Sequence, residues 1–101
     1  MPFNLFSRSR EIEQFAAGLA RDFAKACPVS DTQGERNAVK KMAGAIDAAC
    51  DHAAAFHKDK KLGIYGKAKL GTTFKWELKA LGYSDEFVDE LTRNLLLRLA
   101  R

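Results

Sequence analysis

An all-α fold, a small four-helix bundle-like domain, is what this sequence predicts, and three observations predict it. Alanine and leucine are abundant while valine and isoleucine are scarce, a balance that favours helices over strands. Proline occurs only at positions 2 and 28, so little interrupts helix formation. Apolar residues recur at three- and four-residue spacing through most of the chain. A length of 101 residues fits one domain, and 47% hydrophobic with 30% charged residues is an ordinary globular balance. The expected order over residues 1–101 is an N-terminal arm (1–8), a helical hairpin (9–60), a basic glycine-containing loop (61–72), and helices 73–81 and 85–100. Three helices are long and one, 73–81, is short. The last two pack across the open face of the hairpin.

The first helix runs from Ser9 to Cys27 with Ile12, Phe15, Ala16, Leu19, Phe23 and Ala26 inward and Glu13, Arg21, Asp22 and Lys25 in water. Glu11 and Glu13 in its first turn and Lys25 in its last suit the helix dipole, and Pro28 stops it. The second runs from about Glu35 to Lys60, burying Val39, Met42, Ile46, Ala49, Cys50, Ala53 and Phe56. Gly44 within it either costs about 1 kcal/mol relative to alanine or admits another helix closely. Gly63 ends that helix, and Gly63, Gly66 and Gly71 punctuate a loop from Leu62 to Thr72. The third helix, Thr73 to Leu81, turns Phe74, Leu78 and Leu81 inward and closes on Gly82 in a left-handed cap. Tyr83 folds back onto Leu78 or staples onto Val88, and Ser84 caps the fourth helix. That helix buries Phe87, Val88, Leu91, Leu95 and Leu99. Leu97 points about 150° from the centre of this core face. Either the helix is buried on most sides, or Leu96 and Leu97 belong to a homodimer seam.

Charge is uneven. Between His57 and Lys79 lie seven lysines against Asp59 and Glu77, in a chain whose formal charge is only +4. The stretch also holds Tyr65, Phe74 and Trp76. As a binding site it works through Lys67, Lys69 and Lys75 around an anion held by backbone N–H groups near Gly66 and Gly71, with Tyr65 or Trp76 stacked on a base. As plain structure, the glycines only make turns, the lysines are solvated, and the aromatics enter the core.

Other motifs fall short. Gly66-Lys67 is followed by Ala68 and preceded by a helix, so it is no P-loop. Gly63-Ile64-Tyr65-Gly66 has the spacing of a KH-domain clamp without the strands. The last two helices resemble a helix-turn-helix, yet the reading helix would begin with Asp85, Glu86, Asp89 and Glu90 facing a polyanion. Cys27, Cys50, His52, His57, Asp47 and Asp51 lack the spacing of a metal site. Two histidines on one helix, and Asp47 with Asp51 on another turn of it, do not set out paired acid and base work. No cofactor, metal or catalytic residue is therefore assigned.

The first residues carry no uninterrupted apolar run of signal-peptide length, and no stretch approaches the roughly 18 apolar residues of a membrane span. The cytoplasm is the expected compartment, with Cys27 and Cys50 as thiols. Phe3, Leu5 and Phe6 with Arg8 and Arg10 have the composition of a short membrane-surface anchor, but folding back over the bundle is expected. Function is then expected to be non-enzymatic: interaction with a protein partner or with a second copy through helical surfaces. The alternative partner is a nucleic acid or other polyanion at residues 58–79.

Overall fold

A computed structural model describes residues 4–29 and 42–100, with the side chains of the first helix from Ser9 onward. Among these residues four α-helices form: α1 (Asn4–Ala26), α2 (Ala43–Lys60), α3 (Gly63–Ala80) and α4 (Asp85–Leu99). No strand occurs among them, and the all-α bundle holds.

α1 starts earlier than expected. Residues 4–8 are helical rather than an arm, because no proline or glycine lies between Asn4 and Gly18 and Pro2 precedes the helix. Glu11 and Glu13 are consequently interior residues rather than first-turn acids. The folding back of Phe3, Leu5 and Phe6 turns on side chains outside those described, and the second helix's expected start at Glu35 with Val39 lies outside the described residues. The buried stripe of α1 is Ile12, Ala16, Leu19, Ala20 and Phe23, with Cys27 beyond its end. Ala26, expected inward, is exposed, and Phe15 is half-buried.

The larger correction is α3. The expected loop 61–72 is almost entirely helix, so the short helix 73–81 is really the second half of an 18-residue one. Leu62, Gly66, Leu70, Phe74 and Leu78 are buried at four-residue intervals, a continuous stripe down one side. Gly66 and Gly71 are there because neighbours need their space. A Cβ on Gly66 would lie 2.7 Å from Leu62 Cβ, and one on Gly71 would lie 2.9 Å from Leu96 Cδ2. Gly44 shows nothing within 4 Å of the same construction, so among the described residues no helix approaches it closely.

The helices pack in a ring: α1 on α3, α3 on α4, α4 on α2, α2 on α1. α1 and α2 are antiparallel, with Phe15 stacked on Phe56 at 4.0 Å and Lys60 bonded to Glu11 at 2.9 Å. Yet α1 meets α3 most extensively and α2 least, so the expected hairpin is not the dominant packing unit. The reason lies in side-chain size: α2 buries Ile46, Ala49, Cys50 and Ala53, whereas α3 buries Leu70, Phe74 and Leu78.

The two caps at the α3–α4 junction follow expectation. Gly82 takes a φ of 107°, its N–H donates to the Lys79 carbonyl and that of Tyr83 to Leu78, the paired bonds of a Schellman cap. Ser84 Oγ accepts from the Phe87 N–H at 3.2 Å. The Tyr83 ring packs on Phe23 and Phe87, and its hydroxyl donates to the Cys27 carbonyl, tying the end of α1 to the start of α4. Leu81, expected inward, is exposed. Cys27 and Cys50 are both buried, and neither is in a disulfide.

Candidate interaction surface

The basic segment is rearranged by its helical state. Interior backbone N–H groups of a helix already donate to the preceding turn, so Gly71 frees none for an anion, and Gly66 stands in the first turn of α3 and not in an open loop. Lys67, Lys69 and Lys75 spread around α3 instead of sharing a face; at about 100° per residue, Lys67 and Lys69 are some 160° apart. Lys69 pairs with Glu13 at 2.7 Å, and this bond raises its pKa above the ordinary lysine value. Lys75 reaches Asp89 at 3.5 Å and Lys79 reaches Asp85 at 3.6 Å. The acids that open α4 thus do more than suit its dipole: they form an antiparallel ladder with the lysines of α3. Lys79 Nζ also sits 5.3 Å from the Trp76 ring centre. Tyr65 and Trp76 both lie on the outer side of α3, 64% and 61% exposed, rather than in the core. Eleven residues of helix separate them by about 16 Å, too far to share one base.

Among the described residues the exposed large hydrophobics are Ile64, Tyr65, Trp76, Leu81, Leu96 and Leu97. All lie on α3, on α4 or in the turn between them. Of the two readings of the leucine triplet, burial on most sides fails, since Leu97 is 59% exposed. Leu95 faces the core, Leu96 lies over Gly71, and Leu97 projects outward.

Leu97 stands between two hollows. One, open and of about 480 Å³, is lined by Lys75, Asp89, Thr92, Arg93 and Leu96 as well. Thr92 Oγ1 is buried beside it with no hydrogen-bond partner among the described residues. The other, of about 270 Å³, lies between α2 and α4 beside Ile46, Cys50 and Asn94. Arg98 closes it, donating to Asp47 and Asp51 at 3.0 Å each. Those bonds, Asp47's first, hold the guanidinium pKa above its ordinary value, while burial pushes the Cys50 thiol up. A raised thiol pKa opposes the thiolate that nucleophilic chemistry needs.

The sequence named Leu96 and Leu97 but missed Thr92, Arg93 and Arg98. Thr92 follows Val88 by four residues and so shares the core face; its hydroxyl there was the available signal. Among the described residues no group of three His, Cys, Asp or Glu side chains is placed to hold a metal ion, and no helix is long and apolar enough to cross a membrane. Comparison with protein-family models, with curated proteins and with solved structures gives no match.

Proposed function

We propose that the chain is a non-enzymatic interaction domain that self-associates through the outer face of α4. The observation that carries this reading is the exposed Leu97 beside the Thr92 hollow, a projection and a recess on one helix face. An isologous contact requires a self-complementary patch, and this one has both halves. In a second copy lying antiparallel, Leu97 of each chain meets the other's Thr92, Arg93 and Leu96. The same reading places the domain in the cytoplasm, where buried Cys27 and Cys50 remain thiols. The lysine–carboxylate ladder weighs against a nucleic-acid role for residues 58–79.

Sedimentation velocity from about 1 to about 300 μM tests the proposal across the affinity range of modest interfaces. The expected mass rises from one chain to two. Leu97→Glu abolishes the rise while helical circular dichroism is unchanged. A single-chain mass throughout would overturn self-association and leave the face to a different protein.

A further inference from the structure

At the α2–α3 corner, Ile64 is 86% exposed, the most exposed large hydrophobic side chain among the described residues. Tyr65, beside it, is 64% exposed. The backbone puts them there deliberately. Lys61 has φ 52° and ψ 61°, the left-handed conformation non-glycine residues rarely adopt, and Gly63 has φ 72°. Two left-handed residues within three make a corner so tight that Leu62 turns into the core while Ile64 and Tyr65 emerge at the apex. Strain of this kind persists where surrounding structure enforces it, and it collects at contact sites.

Charge is sorted around the same corner. Lys69, Lys75 and Lys79, along the body of α3, pair with acids of α1 and α4. Lys58 and Lys67 form no ion pair among the described residues. Lys67 follows Ile64 by three residues on the same helix and is its surface neighbour. Lys61 lies in the corner itself. Arg10 is exposed at the same end of the molecule, since the adjacent Glu11 bonds Lys60 in the last turn of α2. The acids Asp85, Glu86, Asp89 and Glu90 open α4 at the opposite end of α3. The molecule therefore has an apolar tip flanked by Lys58, Lys67 and Arg10, with the exposed Asp59 beside Lys60 as an acid at that tip, and the acids that open α4 at the far end.

We propose that this corner is a contact for an anionic membrane surface: Ile64 and Tyr65 enter the headgroup–acyl boundary while Lys58, Lys67 and Arg10 lie over lipid phosphates. An apolar point flanked by basic residues is the chemistry of an interfacial contact. Tyrosine is suited to such a boundary, with an apolar ring and a polar tip. Ile64 distinguishes lipid from nucleic acid as the partner. An aliphatic side chain offers a base neither a stacking plane nor a hydrogen bond, whereas in an acyl layer its exposure is relieved. With only two apolar side chains the contact is weak and reversible, an adsorption and not an anchor. It involves neither Leu96 nor Leu97, and so stands or falls independently of self-association.

Co-sedimentation with sucrose-loaded vesicles of phosphatidylcholine containing roughly 30% phosphatidylserine tests it, at low and high salt. Binding is expected to the anionic vesicles and not to pure phosphatidylcholine, and to fall steeply as salt rises. The double variant Ile64→Ser, Tyr65→Ser should bind about tenfold more weakly, since it removes the inserted apolar surface. Both side chains are exposed, so helical circular dichroism should be unchanged. A second readout replaces Ile64 with tryptophan in a Trp76→Phe background. Bromine on the upper acyl carbons of the lipid should then quench the fluorescence and shift it to the blue. No binding to anionic vesicles overturns the proposal. So does binding that Lys58→Glu with Lys67→Glu abolishes but the serine pair leaves unchanged, which would be adsorption of charge alone. Binding to single-stranded oligonucleotide that exceeds vesicle binding and ignores the serine pair would overturn it in favour of a polyanion site.

Discussion

Gly18, Gly66 and Gly71 all sit inside helices, and an added methyl group meets different surroundings at each. At Gly18 the nearest atom is the tip of Arg21, 3.9 Å away, so alanine brings only its better helix propensity and should stabilise by up to about 1 kcal/mol. At Gly66 the methyl would lie 2.7 Å from Leu62 Cβ, an atom fixed to the backbone of a buried residue. Alanine there should cost about 1–3 kcal/mol, the usual result of overpacking. At Gly71 the clash is with the end of the Leu96 side chain, which is 37% exposed and can swing into solvent. Gly71→Ala should therefore be near neutral, propensity gained offsetting packing lost. Chemical denaturation of the three variants checks the order; equal effects at Gly66 and Gly18 would mean that α3 shifts to admit the methyl. The sequence shows which residue lacks a side chain but not which neighbour fills the space. That is why Gly66 and Gly71 read as breakers when they are points of close approach.

Among whole elements, α4 and its junction were legible because their signals are local: Gly82, Tyr83 and Ser84 act on groups within five residues. The N-terminal half of α3 was not, although Leu62, Gly66, Leu70, Phe74 and Leu78 repeat at four. Weighing Gly63, Gly66 and Gly71 as breakers concealed that repeat, and packing against α1 and α4 overrides their propensity. The candidate site was legible as residue types but not as an arrangement. Lys69 and Lys75 find their partners across the bundle, more than a dozen residues away in sequence. The end of α2 also differs from expectation. Gly63 is left-handed as a stop signal should be, but the left-handed cap of α2 is Lys61, whose N–H donates to the His57 carbonyl. A residue with a Cβ in that conformation is held there at a cost of about 1 kcal/mol. Lys61→Gly should raise stability by about 0.5–1 kcal/mol, visible as a higher urea midpoint with an unchanged slope. No gain would mean that the lysine side chain contributes as much as its backbone strain costs.

Across the whole molecule, the ring of four helices is unevenly secured, and this predicts the order in which it opens. α3 buries Leu70, Phe74 and Leu78 completely and packs on both α1 and α4. α2 turns mostly alanine and cysteine inward, and among the described residues its N-terminus at Met42 has no side-chain cap and its seam with α1 is the slightest of the four. Each methylene withheld from burial forgoes about 0.8 kcal/mol, so α2 docks with much less apolar stabilisation than α3. What else fastens it among the described residues is the half-buried Phe56 ring stacked on Phe15 and a set of largely exposed pairs, Arg98 to Asp47 and Asp51 and Lys60 to Glu11, which solvent screens. Native-state hydrogen exchange should therefore find the slowest amides in Leu70–Leu78, opening only with global unfolding. The slowest amides of α2 should open about 1–3 kcal/mol more easily. Arg98→Ala should widen that gap by loosening α2 from α4 while leaving the α3 amides nearly unchanged. Equal protection in α2 and α3 would show instead that the ring opens as one unit, with the small side chains of α2 compensated by closer packing.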